Sequence, residues 1–291
     1  MTLEQLRIFI AVAEREHVTE AAKFLGLTQS AVSAAVAALE ERHAVRLFDR
    51  VGRRIELTLA GKLFLGEARA VLARADAAVR MLDDLTGLSR GTLSLAASQT
   101  VGNYWLPPVM QRFRRAHPGI ALTLVIGNTE QTCRAVEEGA ADLGFVEDVV
   151  RDASLRLDRV AGDELLLFAA PDHPLVAKPS IGSEDLRQAV WVMREAGSGT
   201  RAILAAMLRG QGIDPARITV ALELPSNEAV RAAVEAGGGV SVLSRLVVAA
   251  SLQAGTLAAL DFALPERGFF AVRHADRHPS QAAAAFLKLL G

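Results

Sequence analysis

Residues 19–40 read TEAAKFLGLTQSAVSAAVAALE, two short helical patterns joined by a Gly turn, and this spacing constrains the chain more than any other feature. Thr19 is expected to cap the first helix through its hydroxyl, and Ala21, Ala22, Phe24 and Leu25 to form a face that a second helix crosses closely. Gly26 then takes the left-handed conformation that ends the helix, at no steric cost. Thr28 caps the next helix, whose Val32, Val36 and Leu39 recur at i, i+4 and i+7 on one buried stripe. The opposite face carries Gln29, Ser30 and Ser33 near its start, with the small Ala34 and Ala37 beyond. An exposed second helix of this kind suits the major groove of DNA, where polar side chains reach base edges and an Ala touches a thymine methyl. An ordinary amphipathic helical hairpin shares the pattern, so the flanking residues have to discriminate.

They do so through charge and turn chemistry. Residues 46–58, RLFDRVGRRIELT, place two short apolar stretches around a Gly, which reads as a hairpin tip and hence a wing. Between residues 42 and 54 five Arg and His43 stand against one Asp49, while the first sixty residues balance eight Lys and Arg with eight Asp and Glu. The positive charge is therefore local, as a phosphate-facing edge requires. Thr28, Gln29, Ser30, Ser33, Arg50, Arg53 and Arg54 are the candidate DNA contacts.

From Leu59 to about Leu85 no Pro interrupts the chain, and Phe64, Ala68, Val71, Ala75, Ala78, Leu82 and Leu85 recur at spacings of four and three. Such a helix spans roughly 40 Å at 1.5 Å per residue, too long for a small winged domain to bury. Dimerisation along this seam would match a two-fold DNA site, and packing within the chain is the alternative. Thr86-Gly87-Leu88-Ser89-Arg90-Gly91 then breaks the pattern as a linker.

The residues TEAA, Leu25, TQSAVS from Thr28, Leu39-Glu40, LFDR from Leu47 and LTLAG from Leu57 together resemble, in order and spacing, the N-terminal signature of LysR-type transcriptional regulators. The likeness extends over the whole chain, with departures at His43-Ala44, where Leu-Gly is usual, and at Ala34. It implies an N-terminal all-α winged helix-turn-helix plus a long linker helix, followed by a C-terminal α/β two-lobed domain like the type 2 periplasmic binding proteins. The expected boundaries are 1–58 for the DNA-binding domain, 59–90 for the linker and hinge, and 91–291 for the effector domain. Within the last, lobe I takes 91–161 and 265–291 and lobe II takes 162–264, with crossings near Gly162 and Leu264. The stretches SQTVGNYWLPP, IGNTEQ, ADLGFVE, REAGSGTR, ELPSNEAVRAAVEAG and GVSVLSR resemble the branch that controls sulfur-assimilation genes. The resemblance implies promoter DNA, a small effector and a homodimer or homotetramer as partners, and leaves RNA polymerase open as another.

Composition agrees. Half of the 291 residues are hydrophobic and the net charge is −1, so nucleic acid must be held by a local surface. Cys133, the single cysteine, excludes an intramolecular disulfide, fits a reducing cytoplasm and reads as a small buried hydrophobe. No signal peptide pattern and no membrane-length apolar run is present, so a cytoplasmic location without membrane contact is expected.

From Thr92 onward strand and helix patterns alternate, which predicts an α/β domain with largely parallel sheets. Strands are expected at 93–97, 120–126, 142–146, 164–169, 190–193, 218–222 and 239–243. Ligands in such sheets bind beyond the carboxyl ends of strands, where helix N-termini point N–H groups outward. Ser98-Gln99-Thr100, Asn128-Thr129, Ser198-Gly199-Thr200 and Ser226-Asn227 sit at such ends. Each is also a good N-cap, so a site depends on their converging. If they converge, the effector is expected to be a small anion or carboxylate, with Arg194 or Arg201 neutralising it. Glu147 is expected to accept from a ligand amine or hydroxyl, or to pair with a cleft Arg. Tyr104, Trp105 and Trp191 read as packing residues, and the six His show no metal spacing. No cofactor is expected. A solute-binding receptor or an enzyme on a two-lobed α/β fold are the alternatives, the first lacking an export signal and the second an evident acid, base or nucleophile set.

Overall fold

Six buried side chains, Leu6, Ile8, Phe9, Ala11, Val12 and Ala13, make the first helix, α1 (Leu3–Arg15), the centre of its unit. The computed structural model describes residues 1–51, 54–84, 91–147, 150 and 152–290. The chain divides into two units, 1–86 with 137–140 and 87–136 with 141–291.

In the first unit Thr2 and Gln5 form a capping box at the start of α1, and Glu16 ends it in a left-handed conformation. The second helix, α2 (Val18–Leu25), therefore begins only two residues later from an extended His17. Thr19 is already helical and does not cap it, contrary to the sequence expectation. Phe24 also departs: it is 66% exposed, with the Arg15 guanidinium 3.6 Å from its ring centroid, so Ala21 and Ala22 alone supply the buried part of that crossing face with Leu25 half-buried. Gly26 caps α2 at φ 66°. The third helix, α3 (Gln29–His43), starts at Thr28, whose Oγ1 accepts the Ala31 N–H at 3.2 Å. Val32 and Leu39 are buried along it and Val36 half-buried. Strands β1 (Phe48–Val51) and β2 (Arg54–Leu57) pair antiparallel as the wing, with Val51 opposite Arg54. Glu40 fastens the wing to α3 by accepting the Leu47 and Phe48 N–H groups at 2.7 and 3.1 Å.

The long helix α4 (Leu59–Asp84) begins at Thr58, whose Oγ1 accepts from Gly61 N. Its expected seam divides. Phe64 packs on Phe9 with centroids 4.9 Å apart and Ala68 is 1% exposed, so these two positions bury α4 against α1 in the same chain. Leu59, Leu63, Val71 and Val79 remain exposed on α4, and Ala78 with them. The Leu82 side chain, Leu85 and the 86–90 linker fall outside what is described.

The second unit holds two five-stranded sheets. In chain order come β3 (Gly91–Ser98), α5 (Leu106–Ala116), β4 (Ile120–Gly127), α6 (Thr129–Glu137), β5 (Leu143–Glu147), β6 (Leu155–Asp163), β7 (Leu165–Ala169), α7 (Ser183–Gln188) and β8 (Val190–Arg194). There follow α8 (Gly199–Gly210), β9 (Thr219–Leu224), α9 (Asn227–Glu235), β10 (Val240–Ser244), α10 (Arg245–Ala254), β11 (Ala258–Ala259), β12 (Arg267–His274) and α11 (Gln281–Lys288). The first sheet has the order β4-β3-β5-β12-β6 and the second β11-β7-β10-β8-β9. Pairs β3–β4, β3–β5, β8–β9 and β8–β10 are parallel, while β12 is antiparallel to β5 and β6, and β7 to β10 and β11. The sheets are thus mixed rather than largely parallel. The physical reason lies in the crossings: the chain leaves the first sheet along β6 and returns along β12, so these two strands lie side by side in opposite directions. Strands β6, β11 and β12 had no counterpart among the sequence expectations.

Apolar packing fixes each sheet. Trp191 is fully buried and donates its Nε1–H to Leu186 O at 3.1 Å, while Trp105 packs on Phe145 and Phe269. Cys133 is buried with Val136 and Val146.

One backbone strain invites a test. Ala44 caps α3 at φ 50°, a left-handed position that costs a residue with a Cβ about 1 kcal/mol or more. Ala44→Gly should raise stability by about 0.5–1 kcal/mol in urea unfolding, after allowing for glycine's greater freedom in the unfolded chain. A loss of stability would show that the cap is not strained.

Candidate functional site

In the first unit four of the seven residues expected to meet DNA, Gln29, Ser33, Arg50 and Arg54, line one groove, and Thr28 and Ser30 do not. Gln29 and Ser33 of α3, Arg50 and Arg54 of the wing, and Thr19 at the start of α2 line a cavity of about 230 Å³ together with Glu16, His17, Val18 and Ile55. The Ile55 N–H donates to Glu16 O at 3.3 Å, which anchors the wing to the turn after α1. Gln29, Ser30, Ser33, Arg50 and Arg54 are exposed. Thr28 uses its hydroxyl oxygen for the cap and lies 3.1 Å from Ser30 Oγ, so it holds the helix start. Arg53 lies outside the described residues.

In the second unit the four polar strand ends meet in two pairs, residues 99–100 with Asn227 and Thr129 with Gly199. Ser98, Thr100, Asn128, Thr129, Glu147, Arg194, Ser198, Thr200 and Asn227 are all buried, whereas Gln99, Arg201 and Ser226 are half-buried. Two pairs of these ends are bonded across the gap between sheets. Asn227 donates its Nδ2–H to Thr100 Oγ1 at 3.1 Å and its backbone N–H to Gln99 Oε1 at 2.8 Å, while Gln99 Nε2 donates to Pro225 O at 2.7 Å. Gly199 N donates to Thr129 Oγ1 at 3.2 Å, and Thr129 in turn donates to Glu147 Oε2 at 3.4 Å. Only Gly fits at 199, since a Cβ would sit 2.7 Å from Thr129 Oγ1 and 2.9 Å from Glu147 O. Ser198 and Ser226 cap α8 and α9 through their hydroxyls. Tyr104 Oη donates to Glu228 at 3.1 Å, and burial followed by the Glu228 charge pushes its phenol above the ordinary value.

The two arginines expected to neutralise an anion are each engaged by a carboxylate. Arg194 donates from Nε and Nη2 to the two Glu195 oxygens at 2.7 and 2.9 Å, and from Nη1 to Asn227 Oδ1. Arg201 donates to Arg194 O at 2.9 Å and pairs with Glu223. Glu195 also accepts from Asn128 Nδ2 at 3.2 Å, so it reaches from the second sheet to the first. Burial acts to raise the Glu195 carboxyl, but the hydrogen bond and charge of Arg194, with the Asn128 amide, outweigh it and hold the group below its ordinary value. Glu147 meets neither arginine among the described residues; its partner is Thr129.

Three side chains absent from the sequence reading complete the cleft. Asp163, at the end of β6, and Arg267, at the start of β12, form an ion pair with side chains 2% and 0% exposed. Arg267 Nη1 also donates to Thr200 Oγ1 at 2.9 Å, and Ser244 Oγ to Asp163 at 2.7 Å. Both chain crossings are thereby tied to the second sheet. Burial of a charge pair needs this many bonds. Among the described residues no group of three His, Cys, Asp or Glu is placed to hold a metal ion, and no single helix is long and apolar enough to cross a membrane.

Comparison with known proteins agrees with both halves. Residues 3–62 match the family described as bacterial regulatory helix-turn-helix protein, lysR family, and residues 86–291 match the LysR substrate binding domain. The chain is 37% identical over 289 residues to the uncharacterized HTH-type transcriptional regulator YeiE of Escherichia coli (strain K12), covering 99% of this chain and 96% of that one. It is 34% identical to the HTH-type transcriptional regulator CbbR of Rhodospirillum rubrum over 98% and 95% of the two chains. Its fold is similar to full-length CbnR crystallised with its target DNA, at TM-score 0.70, 23% identity and coverage of 100% and 99%. The Synechocystis PCC6803 CcmR regulatory domain in complex with 2-PG matches 69% of this chain and 96% of its own at TM-score 0.63 and 30% identity.

Two measurements test the cleft. Arg267→Ala leaves Asp163 buried without its partner and should cost about 3–5 kcal/mol in urea unfolding, and a cost near zero would contradict the buried pair. A carboxyl held below its ordinary value stabilises the fold above that value and loses the contribution as pH falls through the lowered one. The stability difference between wild type and Glu195→Gln should therefore be full near neutral pH and fade as the pH falls below the ordinary carboxylate value. A difference independent of pH would remove Arg194 as its cause.

Proposed function

This chain belongs to the LysR family of bacterial transcriptional regulators, and we propose that it binds promoter DNA as a homo-oligomer under the control of a small molecule held between the two sheets of its second unit. Around the first unit's groove, Gln29 and Ser33 would read bases while Arg50, Arg53 and Arg54 would grip phosphates. The observation that carries this is the grouping of Gln29, Ser33, Arg50 and Arg54 around one groove beside the exposed face of α3. Residues 1–58 would form the reader, 59–90 the linker and 91–291 the sensor. The exposed Leu59, Leu63, Val71 and Val79 of α4 would supply the surface between two copies.

Control would work through the cleft. Ser98, Thr100, Asn128, Thr129, Ser198, Thr200 and Asn227 are the groups around which an effector would be held, and a ligand that prefers one separation of the sheets shifts the population of regulator shapes. The protein would act in the cytoplasm and bind its effector without turnover. The relatives with printed targets are RuBisCO regulators, so the sulfur-gene branch implied by the sequence gains no support from their names.

Gel shifts on the intergenic DNA beside the gene test the reading. Arg54→Ala should weaken binding to operator and random DNA alike and lower the salt slope by about one, whereas Gln29→Ala should lower the preference for operator. Equal losses for Gln29→Ala on both DNAs would contradict its role as a base reader, and the absence of any specific shift at moderate salt would overturn the function.

A further inference from the structure

We propose that the Glu195 carboxylate is a tethered occupant of a carboxylate-binding site, and that the effector is a small carboxylic acid that takes its place. This rests on the effector-cleft reading above and names the chemistry of that cleft.

The site is built for a planar anion. Arg194 presents Nε and Nη2 side by side to the two Glu195 oxygens, the fork geometry by which a guanidinium takes a carboxylate. Asn128 adds a third donor from the opposite sheet at 3.2 Å. The receiving groups are fixed independently of Glu195: Arg194 is also bonded to Asn227, and its own carbonyl accepts from Arg201. Its side chain is 4% exposed. A guanidinium so buried needs an anion, but nothing in the geometry requires that the anion be covalently attached.

Glu195 itself is the less fixed member. It stands just past the end of β8 with its side chain 22% exposed, and its backbone is held separately by the N–H bond to Leu224 O at 3.2 Å. Rotation about its side-chain bonds would clear the site without moving the main chain. A free carboxylate entering there would recover all three donors and would link the two sheets as Glu195 does. A tethered group competes at high effective concentration, so a displacing ligand needs contacts beyond its carboxylate. An unused polar atom exists at a cleft strand end: among the described residues Ser98 Oγ is buried with no hydrogen-bond partner.

Chemical rescue provides the test in full-length protein. Glu195→Ala should lower the melting temperature, and sodium acetate should restore part of it, binding the variant at least tenfold more tightly than wild type; acetamide and sodium chloride should do neither. Glu195→Gln, which keeps the side-chain shape, should also bind acetate at least tenfold more tightly than wild type and serves if the Ala variant does not fold. Equal acetate affinity for wild type and variant would overturn the proposal. Gel shifts on the same proteins separate the two readings. Acetate rescue with promoter binding unchanged would leave the carboxylate site standing and overturn its regulatory role, whereas a promoter response without acetate preference would overturn the carboxylate site alone.

Discussion

The first N–H groups of a helix have no acceptor within the helix, and in the second unit three helices satisfy theirs across the gap between sheets. Glu130 N of α6 donates to Gly197 O at 3.2 Å, Gly199 N of α8 to Thr129 Oγ1 at 3.2 Å, and Asn227 N of α9 to Gln99 Oε1 at 2.8 Å. Each bond joins a residue near a strand end in one sheet to its counterpart in the other. The helix starts that would otherwise face water or a ligand thus hold the cleft closed. This reciprocity explains why so many Ser, Thr and Asn side chains at strand ends are buried without being apolar.

The same economy governs the charges. Arg194 and Arg267 are buried cations, and each is met by a carboxylate and a neutral acceptor: Glu195 with Asn227, and Asp163 with Thr200. Removing either carboxylate would leave an uncompensated charge in a low dielectric, a larger loss than the pair contributes by existing. Each pair lies within one sheet's side, and what crosses to the other is its outer bond: Asn128 to Glu195, Arg267 to Thr200 and Ser244 to Asp163. A ligand that changes the separation has to replace these bonds, which makes the cleft selective for polar, well-fitted molecules.

Much of the first unit was legible because its determinants are local. The Gly26 turn, the Thr28 cap, the α3 stripe and the wing around Val51 and Arg54 each depend on residues a few positions apart. Thr19 was misread because the start of α2 is set by the end of α1 rather than by its own best capping residue. The α4 seam shows a second limit: periodicity reports that Phe64 and Ala68 face a packed surface, but not that α1 of the same chain supplies it. In the second unit, β6 intersperses charged residues among its apolar ones, whereas the apolar run of β12, Phe269–Val272, is short and bounded by Arg267 and Arg273. Asp163 and Arg267 stand 104 positions apart, a pairing that no local pattern reveals. Arg194 and Arg201 looked like spare cations because the carboxylates that hold them are identified only by the fold.

The central claim is that the sheets close on each other through helix-start N–H groups. Residue-resolved amide hydrogen exchange of the ligand-free, full-length protein at Glu130, Gly199 and Asn227 measures it directly. First-turn amides ordinarily exchange with little protection, so protection at these three comparable to that of helix interiors is the predicted result. Rapid, unprotected exchange at all three would mean that the closed cleft is not the resting state, and would contradict the account.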